Sequence, residues 1–172
     1  MKALLLSAGF GTRLRPMTFT VPKCMVNICG KPVLERQLDY LAYFGIKDVV
    51  INLHYLAPQV YQYFGHKFKD TNVVYLYEKE LLGEEGTIQA AQPWLGKEFV
   101  IMNGDTLTDL KLNELIESAS MITRYGEDNG IYTGIKVVYG NNYGNVFPYR
   151  KKFWWCDIGS HEELRRARKY YA

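Results

Sequence analysis

The amino-acid sequence predicts an α/β fold of the Rossmann-like kind, with a mainly parallel sheet flanked by helices. Short apolar runs rich in Val, Ile and Leu recur along the first two thirds of the chain, and stretches with apolar residues at helical spacing separate them. Strands covered on both faces form continuous apolar runs, and their alternation with helices is typical of parallel sheets. A chain of 172 residues, 48% hydrophobic and 23% charged, is long and apolar enough to bury a core.

Strands and helices alternate in this pattern up to Asp105. Strands are predicted at residues 2–8, 48–53, 73–77 and 99–102. The first helix is predicted to follow Pro32, which a first helical turn tolerates, and to stop at Gly45. Helical spacing of apolar residues recurs at residues 58–64 and 86–95.

The pattern changes after Asp105. Residues 112–118 are predicted to form a short helix. Strands that are antiparallel or lie at a sheet edge are predicted at residues 121–125, 131–139 and 145–155. Ser160 and Glu163 form a capping box, which predicts a basic amphipathic helix over residues 164–171.

Composition and cysteine usage argue against several classes of protein. The net charge of +3 is modest and the Lys and Arg residues are scattered, so no nucleic-acid partner is expected. Cys24, Cys29 and Cys156 form no C-x-x-C pair and have no His at zinc-ligand spacing, which predicts free, mostly buried thiols in a reducing compartment. The first apolar stretch is far shorter than the ~20 residues that span a bilayer. With no signal-peptide pattern at the N-terminus, a cytoplasmic protein without membrane contact is expected.

The turn after the first strand is the first candidate site. Gly9 and Gly11 let the backbone bend sharply and leave its N–H groups free to face a ligand, as in turns that cradle phosphate. Arg13, Arg15 and Lys23 would surround a polyphosphate with positive charge. A G-x-G turn with solvated basic residues also occurs without any phosphate ligand, so the turn alone leaves both interpretations open.

Two better-known nucleotide motifs do not fit this turn. A P-loop would need G-x-x-x-x-G-K-[ST], which the chain lacks. A dinucleotide fingerprint would need a third glycine where Leu14 stands, and an acidic residue at the end of the second strand where Asn52 and His54 stand. A P-loop ATPase and a nicotinamide-dependent enzyme are therefore disfavoured.

A longer string of residues gives the turn a more specific meaning. Residues 9–16 match G-x-G-T-R-x-R-P, and Thr18, Pro22-Lys23 and Gly30-Lys31-Pro32 follow in register. This string resembles the sugar-phosphate nucleotidyltransferases, the family that includes the guanylyl-, thymidylyl- and uridylyltransferases of sugar 1-phosphates. Further segments are similar to the family's patterns in the same order: residues 52–56, the nucleobase loop at 78–87, G-D-[TV] at 103–106 and W-x-D-[IT]-G-[ST] at 153–160.

The resemblance implies a fold, a reaction and a set of site residues. The fold is the nucleotide-diphospho-sugar transferase fold, as one domain over residues 1–172 with a nucleotide-binding core at 1–110 and a shortened acceptor-side part at 111–172. The reaction joins an NTP to a sugar 1-phosphate and releases pyrophosphate, and the family allows a homo-oligomer. The implied catalytic residues are Arg13, Lys23 and Asp105. The implied nucleotide-binding residues are Ala8, Gly9, Gly11, Thr12, Arg13, Glu78, Gly83, Gly86 and Thr87.

Asp105 and Asp157 are the implied ligands of Mg²⁺. Nucleotidyl transfer by itself calls for a hard divalent cation that is held by one or two carboxylates and shared with substrate phosphates. A lone Asp at a strand end is more often a helix cap or a surface residue. The assignment of these two residues as metal ligands is favoured because they lie in register with the upstream motif.

The acceptor side departs from the family's pattern. The interval between Asp105 and Asp157 lacks the E-K-P-type segment whose Lys binds the sugar phosphate in the family. Either a cation among Arg124, Lys136 and Arg150 replaces that Lys, or the acceptor is not a hexose phosphate, or the chain binds nucleotides without turnover, or a loop is omitted. The candidate acceptor-binding residues are Asn103, Thr133, Gly134 and Lys136, around a segment that resembles the family's T-G-[IL]-Y strand.

Three functions remain in competition at this level. The first is a sugar-1-phosphate nucleotidyltransferase. The second is a cytidylyltransferase that acts on phosphocholine or another small phosphate, and the third is a non-catalytic module that binds a nucleotide sugar. Glu84 and Glu85 stand where the family commonly has small residues in the nucleobase loop, so the sequence leaves the base open.

Overall fold

A computed structural model describes residues 1–125, 134–139 and 153–172, with the side chains of residues 120–125 and 139 left aside. In chain order the elements are β1 (Lys2–Leu6), β2 (Asn27–Ile28), β3 (Lys31–Pro32), α1 (Val33–Tyr43), β4 (Asp48–Leu53), α2 (Ala57–Phe64), β5 (Lys67–Phe68), β6 (Thr71–Tyr77), α3 (Gly83–Leu95), β7 (Glu98–Asn103), β8 (Thr106–Thr108), α4 (Leu112–Tyr125), β9 (Ile135–Tyr139), β10 (Trp155–Asp157) and α5 (His161–Tyr171). Three short 3₁₀ helices follow β1, at Thr12–Leu14, Met17–Phe19 and Lys23–Met25.

The main sheet confirms the predicted fold class. Within the described residues its six strands are ordered β5-β6-β4-β1-β7-β9, and the four central strands are parallel. The edge strands β5 and β9 pair antiparallel with their neighbours. Leu6 at the end of β1 is in register with Asn52 on one side and Asn103 on the other. The carboxyl ends of three parallel strands therefore meet at one edge, which is where open α/β sheets bind ligands.

The sheet is covered on both faces because its strands are apolar on both faces. Ala3 and Leu5 of β1 pack in one buried cluster with side chains of α1, α2 and α4. Leu4, which points the other way, packs in a second cluster with Ile88 and Ala91 of α3. Burying one such aliphatic side chain stabilises a fold by about 1.5–3 kcal/mol. These layers fix the sheet edge on which the candidate site lies.

The predicted elements mostly match the observed ones, with one clear error. The strand predicted at residues 48–53 is β4, and the first helix follows Pro32 and ends ahead of Gly45, which has a φ of +80°. The strand predicted at residues 121–125 is wrong, because α4 continues through Tyr125. A short apolar run has no clear period of its own, and here it extends a helix that is already packed on the sheet. Residues 131–133 and 145–152 lie outside the described residues.

The end of the chain returns to the sheet edge through α5. One half of the predicted capping box is present, because the Ser160 side chain accepts a 3.3 Å hydrogen bond from the Glu163 amide. The Glu163 carboxylate accepts instead from the Gly159 amide at 3.1 Å, one residue before the amide that a capping box uses. The Trp154 and Tyr170 rings stack 3.8 Å apart. Asp109 accepts hydrogen bonds from the Trp154 amide at 2.6 Å and the Tyr170 hydroxyl at 3.0 Å. These contacts hold α5 and β10 beside β8, a short strand that the sequence pattern did not indicate.

Two predictions from composition can also be compared with the structure. All three cysteines are free, and Cys24 and Cys156 are buried whereas Cys29 is exposed. Within the part of the chain that the structure describes, every helix is too short or too polar to cross a bilayer.

Candidate active site

The turn after β1 is shaped by two glycines with opposite surroundings. Gly11 has a φ of +64°, and a Cβ there would lie 3.0 Å from side-chain atoms of both Lys23 and Thr18. Its carbonyl accepts a 2.7 Å hydrogen bond from the Thr18 hydroxyl. At Gly9, by contrast, a Cβ would meet no heavy atom within 4 Å. Gly11 is therefore required by the packing and left-handed backbone of the turn, whereas Gly9 borders open space that a ligand can approach.

The chain leaving β7 crosses directly over this turn. The Gly104 amide donates a 2.7 Å hydrogen bond to the Leu6 carbonyl. A Cβ on Gly104 would lie 2.3 Å from Ser7 Oγ, so only glycine fits at this crossing. The crossing brings Asp105 next to the turn, and the two border one pocket of about 210 Å³. That pocket is lined by Leu6, Ser7, Gly9, Lys23, Cys24, Asn103, Gly104 and Asp105.

Asp105 and Asp157 are brought to adjacent strands by the pairing of β8 with β10. Asp157 is in antiparallel register with Thr106, the residue after Asp105. The Thr106 hydroxyl donates a 2.5 Å hydrogen bond to Asp157 Oδ1, and the Ile158 amide donates a 2.8 Å hydrogen bond to the Asp105 carbonyl. The backbones of the two candidate metal ligands are therefore neighbours, and their role as metal ligands stays a prediction.

The environment of Asp157 disfavours its negative charge. Burial is the largest cause and raises the pKa of Asp157 above its ordinary value, although the hydrogen bond from Thr106 opposes this. The neighbouring charges of Asp105 and Glu163 raise the pKa further, and Lys23 lowers it. A cation placed between the carboxylates would relieve this crowding of negative charge.

Lys23 supplies positive charge at the same place. It opens the 3₁₀ helix that follows Pro22, and its ammonium group forms an ion pair with Asp105 Oδ2. Both side chains are 19% exposed, so the pair borders the pocket without being sealed from solvent. A lysine ammonium is a compact point charge suited to a phosphate oxygen. The pocket thus presents a cation and a carboxylate in contact beside the glycine turn.

The oxygen donors of Asp105 and Asp157 fit a hard divalent cation. In residues 1–125, 134–139 and 153–172 there is no cluster of three or more His, Cys, Asp and Glu side chains that would form an all-protein cage. Mg²⁺ is commonly held by one or two carboxylates and completed by substrate phosphates and water. The donor set therefore agrees with a cation that binds together with a phosphorylated substrate.

The predicted nucleobase loop begins in a buried hydrogen-bond network. Glu78 is only 3% exposed, and its Oε1 accepts from Asn52 Nδ2 at 2.9 Å and from the Thr87 hydroxyl at 2.6 Å. Its Oε2 accepts from the Leu82 amide at 3.2 Å. Gly83 has a φ of +70° and begins α3, and at Gly86 a Cβ would lie 2.9 Å from the Leu82 Cβ. Glu78 and Thr87 thus support the loop from its buried side. Direct contact of either residue with a nucleotide stays a prediction.

The other predicted nucleotide-binding residues lie around the glycine turn. Ala8 is buried between β1 and Gly9, and Thr12 is exposed at the start of the first 3₁₀ helix. Arg13 is exposed, and its Nη2 lies 2.7 Å from where a Cβ on Gly159 would be. The Arg13 guanidinium therefore sits against the turn that follows Asp157.

The predicted acceptor-binding residues fall into three situations. Asn103 lines the pocket, whereas Gly134 is packed so closely on Thr106 that a Cβ would lie 2.4 Å from its Oγ1. Lys136 forms an ion pair with Glu84 at the start of α3, with side chains 17% and 38% exposed. This pair joins the acceptor-side strand β9 to the nucleobase loop. Thr133 and Arg150, and the side chain of Arg124, lie outside the described residues.

Sequence reasoning missed two buried polar side chains that organise the site. Gln37 of α1 is fully buried, and its Nε2 donates to the carbonyls of Asn103 at 2.7 Å and Thr106 at 2.9 Å. Asn52 connects the glycine turn to Glu78. Each is an amide at a position where the local apolar pattern predicts a core residue. That mismatch was a usable signal, because a buried polar group needs specific partners.

Fold and site together define a class: an α/β protein in which a glycine turn, a lysine and two carboxylates meet at the carboxyl ends of a parallel sheet. The sequence profile described as Nucleotidyl transferase matches residues 2–146. The chain therefore belongs to the nucleotidyl transferase family.

The similar curated proteins are sugar-1-phosphate nucleotidyltransferases. Mannose-1-phosphate guanyltransferase of Hypocrea jecorina is 34% identical over 152 residues, covering 85% of this chain and 40% of the relative. D-glycero-alpha-D-manno-heptose 1-phosphate guanylyltransferase of Campylobacter jejuni is 36% identical over 122 residues, covering 71% and 55%. UTP–glucose-1-phosphate uridylyltransferase of Synechocystis is 31% identical over 173 residues, covering 88% and 44%. The chain spans roughly half the length of these relatives.

Solved structures share the fold over nearly the whole chain. HddC from Yersinia pseudotuberculosis, crystallised in complex with GMP-PN, has a TM-score of 0.82 at 22% identity and covers 99% of both chains. A UTP-bound UGPase from Acinetobacter baumannii has a TM-score of 0.79 at 17% identity, covering 99% of this chain and 92% of that one. These likenesses confirm the nucleotide-diphospho-sugar transferase fold implied by the sequence.

Proposed function

We propose that this protein is a nucleotidyltransferase that joins an NTP to a sugar 1-phosphate, giving an NDP-sugar and pyrophosphate. The observation that carries the proposal is a pocket bordered by Gly9, Lys23 and Asp105, with Asp157 held next to Thr106 by the β8–β10 pairing. The names of the curated relatives support the same reaction.

The proposed reaction needs no protein nucleophile. A phosphate oxygen of the sugar 1-phosphate attacks the α-phosphorus of the NTP, a new P–O bond forms, and the bond to the β-phosphate breaks as pyrophosphate leaves. The chain contributes position and charge, which are the main sources of catalysis in such transfers. Backbone amides at Gly9 and Gly11 hold the triphosphate, Arg13 balances the departing pyrophosphate, and Lys23 contacts the α-phosphate or the incoming phosphate.

Asp105 and Asp157 are the residues that would hold Mg²⁺. When bound, the cation supplies charge neutralisation between the α-phosphate and the attacking phosphate. In this proposal the Lys23 ammonium group, which pairs with Asp105, also contacts a phosphate of the substrate. Gln37 holds the backbone on both sides of Asp105 and so limits movement of that carboxylate.

Lys136 is the proposed cation for the acceptor phosphate. It lies on β9, which pairs with β7 next to the pocket, and Glu84 holds its ammonium group near the start of α3. Replacing Lys136 with Met should raise the KM for the sugar phosphate several-fold, because a bound phosphate loses one cation. The KM for the NTP should rise less, because the nucleobase loop loses only a partly exposed ion pair at Glu84. Equal changes in the two KM values would contradict this assignment.

The direct test of the proposed function is pyrophosphate release. The protein is mixed with Mg²⁺, each NTP in turn and a panel of sugar 1-phosphates that begins with mannose, glucose and heptose phosphates, with phosphocholine included. Asp105→Asn should lower turnover by at least about 100-fold, since it removes a carboxylate from the charge centre. Asp70→Asn is the matched control, because Asp70 is 81% exposed and pairs only loosely with Lys47 at 3.5 Å.

The outcomes separate the three candidate functions. Release with a sugar 1-phosphate supports the proposal, and release only with CTP and phosphocholine supports the cytidylyltransferase instead. Nucleotide binding that persists without any release, and that Asp105→Asn leaves unchanged, identifies a non-catalytic module. The homo-oligomer allowed by the family is tested by light scattering of the same preparation.

A further inference from the structure

Asn52 links the glycine turn to the nucleobase loop, and none of the roles proposed above connects these two loops. It is the penultimate residue of β4, which lies between β1 and β6, and it is 4% exposed. Its Oδ1 accepts a 2.6 Å hydrogen bond from the Ser7 amide at the start of the glycine turn. Its Nδ2 donates a 2.9 Å hydrogen bond to Glu78 Oε1 at the start of the nucleobase loop. One buried side chain thus touches both loops.

The link continues from Glu78 into the loop itself. Glu78 Oε2 accepts from the amide of Leu82, the residue before α3, and Thr87 in the second turn of α3 donates to Oε1. The donors around this carboxylate are N–H and O–H groups: Asn52 Nδ2, the Thr87 hydroxyl and the Leu82 amide. A buried carboxylate depends on such donors, and losing one costs more than an ordinary hydrogen bond contributes. The network therefore resists any change in the spacing of the two loops.

We propose that Asn52 is a positioning residue that sets the triphosphate half of the nucleotide site at a fixed distance from the base half. The inference rests on the proposed function, because it assumes that one NTP spans both loops. A ligand that must satisfy both loops at once loses affinity when their separation changes by a fraction of an ångström to an ångström. Asn52 itself does not contact the ligand in this account and acts through the Ser7 backbone amide and the Glu78 side-chain carboxylate.

The chemistry of the link is directional, which makes it testable. The oxygen of the amide has to face the Ser7 N–H, and its nitrogen has to face the Glu78 carboxylate. Asn52→Asp keeps the acceptor for Ser7 but sets one carboxylate against another. Adding Glu78→Gln restores an amide–carboxylate pair with the two groups exchanged. The amide introduced at position 78 then donates to the carboxylate introduced at position 52.

The experiment measures nucleotide dissociation constants by titration calorimetry with Mg²⁺ for wild type, N52D, E78Q and N52D/E78Q. We expect N52D to weaken NTP binding by at least about tenfold, and the double variant to regain at least about threefold of that loss. The KM for the sugar phosphate should change by less than about twofold in every variant. Asn72→Asp is the matched control, because exposed Asn72 likewise donates to a carboxylate, Asp48, at 2.9 Å but lies at the other end of the strands.

The outcomes distinguish failure of this inference from failure of the proposed function. Wild-type NTP affinity in folded N52D overturns the inference, and so does a double variant that binds no better than N52D. If wild type binds nucleotide but releases no pyrophosphate, the transfer reaction is overturned, while the coupling between Asn52 and Glu78 can still be measured by nucleotide binding. If wild type binds no nucleotide, both the inference and the proposed function are overturned. If N52D fails to fold, Asn52→Ala is measured in its place, and unchanged NTP affinity in that variant also overturns the inference.

Discussion

Replacing Gly104 with alanine should damage the fold and the site together. A Cβ at this position would lie 2.3 Å from Ser7 Oγ, 2.5 Å from the Leu6 carbonyl oxygen and 2.8 Å from Ser7 Cα. Two of these three atoms are backbone atoms, so rotation of a side chain cannot remove the overlap. Overpacking a well-packed interior costs about 1–3 kcal/mol, and the need to move backbone predicts a cost of about 3 kcal/mol. The hydrogen bond from the Gly104 amide to Leu6 would be strained by the same movement.

The assay is urea denaturation followed by tryptophan fluorescence. With an m value of about 2 kcal/mol/M, a loss of about 3 kcal/mol lowers the midpoint by about 1.5 M. Gly9→Ala is the matched control, because a Cβ at Gly9 meets no heavy atom within 4 Å. Its midpoint should stay within about 0.3 M of wild type, while its NTP affinity falls because the methyl group occupies ligand space. A wild-type midpoint for Gly104→Ala, or equal destabilisation by the two substitutions, would refute the steric argument.

Three further predictions concern thiol reactivity, pH and the turn after Asp157. Burial raises the pKa of Cys24 to about 12, so an alkylating reagent at neutral pH should label exposed Cys29 and spare Cys24, as peptide mass spectrometry will show. Burial opposes the charge of Asp39, but hydrogen bonds from two lysines outweigh it and hold its pKa below the ordinary value of 3.8. The stability it contributes is therefore present above that pH and lost as pH falls through the lowered pKa, so the melting-temperature difference between wild type and Asp39→Asn should shrink as the pH falls below 3.8. Gly159→Ala would place a Cβ 2.7 Å from Arg13 Nη2, so the KM for pyrophosphate in the reverse reaction should rise, and an unchanged value would count against the role of Arg13.

Much of the sheet could be predicted because its signals are local. The continuous apolar run at residues 48–53 is long enough to define a strand, and Pro32 and Gly45 mark the two ends of α1. The last turn of α4 could not be predicted in the same way, because five residues hold too little periodicity to separate helix from strand. The strand β8 was missed because three residues form a strand only through pairing with β10, far along the chain.

The candidate site shows the same division between local and distant information. The glycine turn and the two aspartates were found as motifs, and the structure brings them to one sheet edge. Gln37 was missed, and Asn52 was noted only as part of the segment at residues 52–56, because the partners of both are remote in sequence. The individual roles assigned to site residues stay predictions until the variants are measured.

The pairing of β8 with β10 joins two parts of the chain that lie far apart in sequence. Thr106 and Asp157 are 51 positions apart, yet their contact is made within three residue pairs of a short antiparallel ladder. Between them in sequence, β9 is held by its pairing with β7. An engineer who replaced residues between these strands would have to keep both pairings, because Asp157 stays beside Thr106 only while the ladder forms.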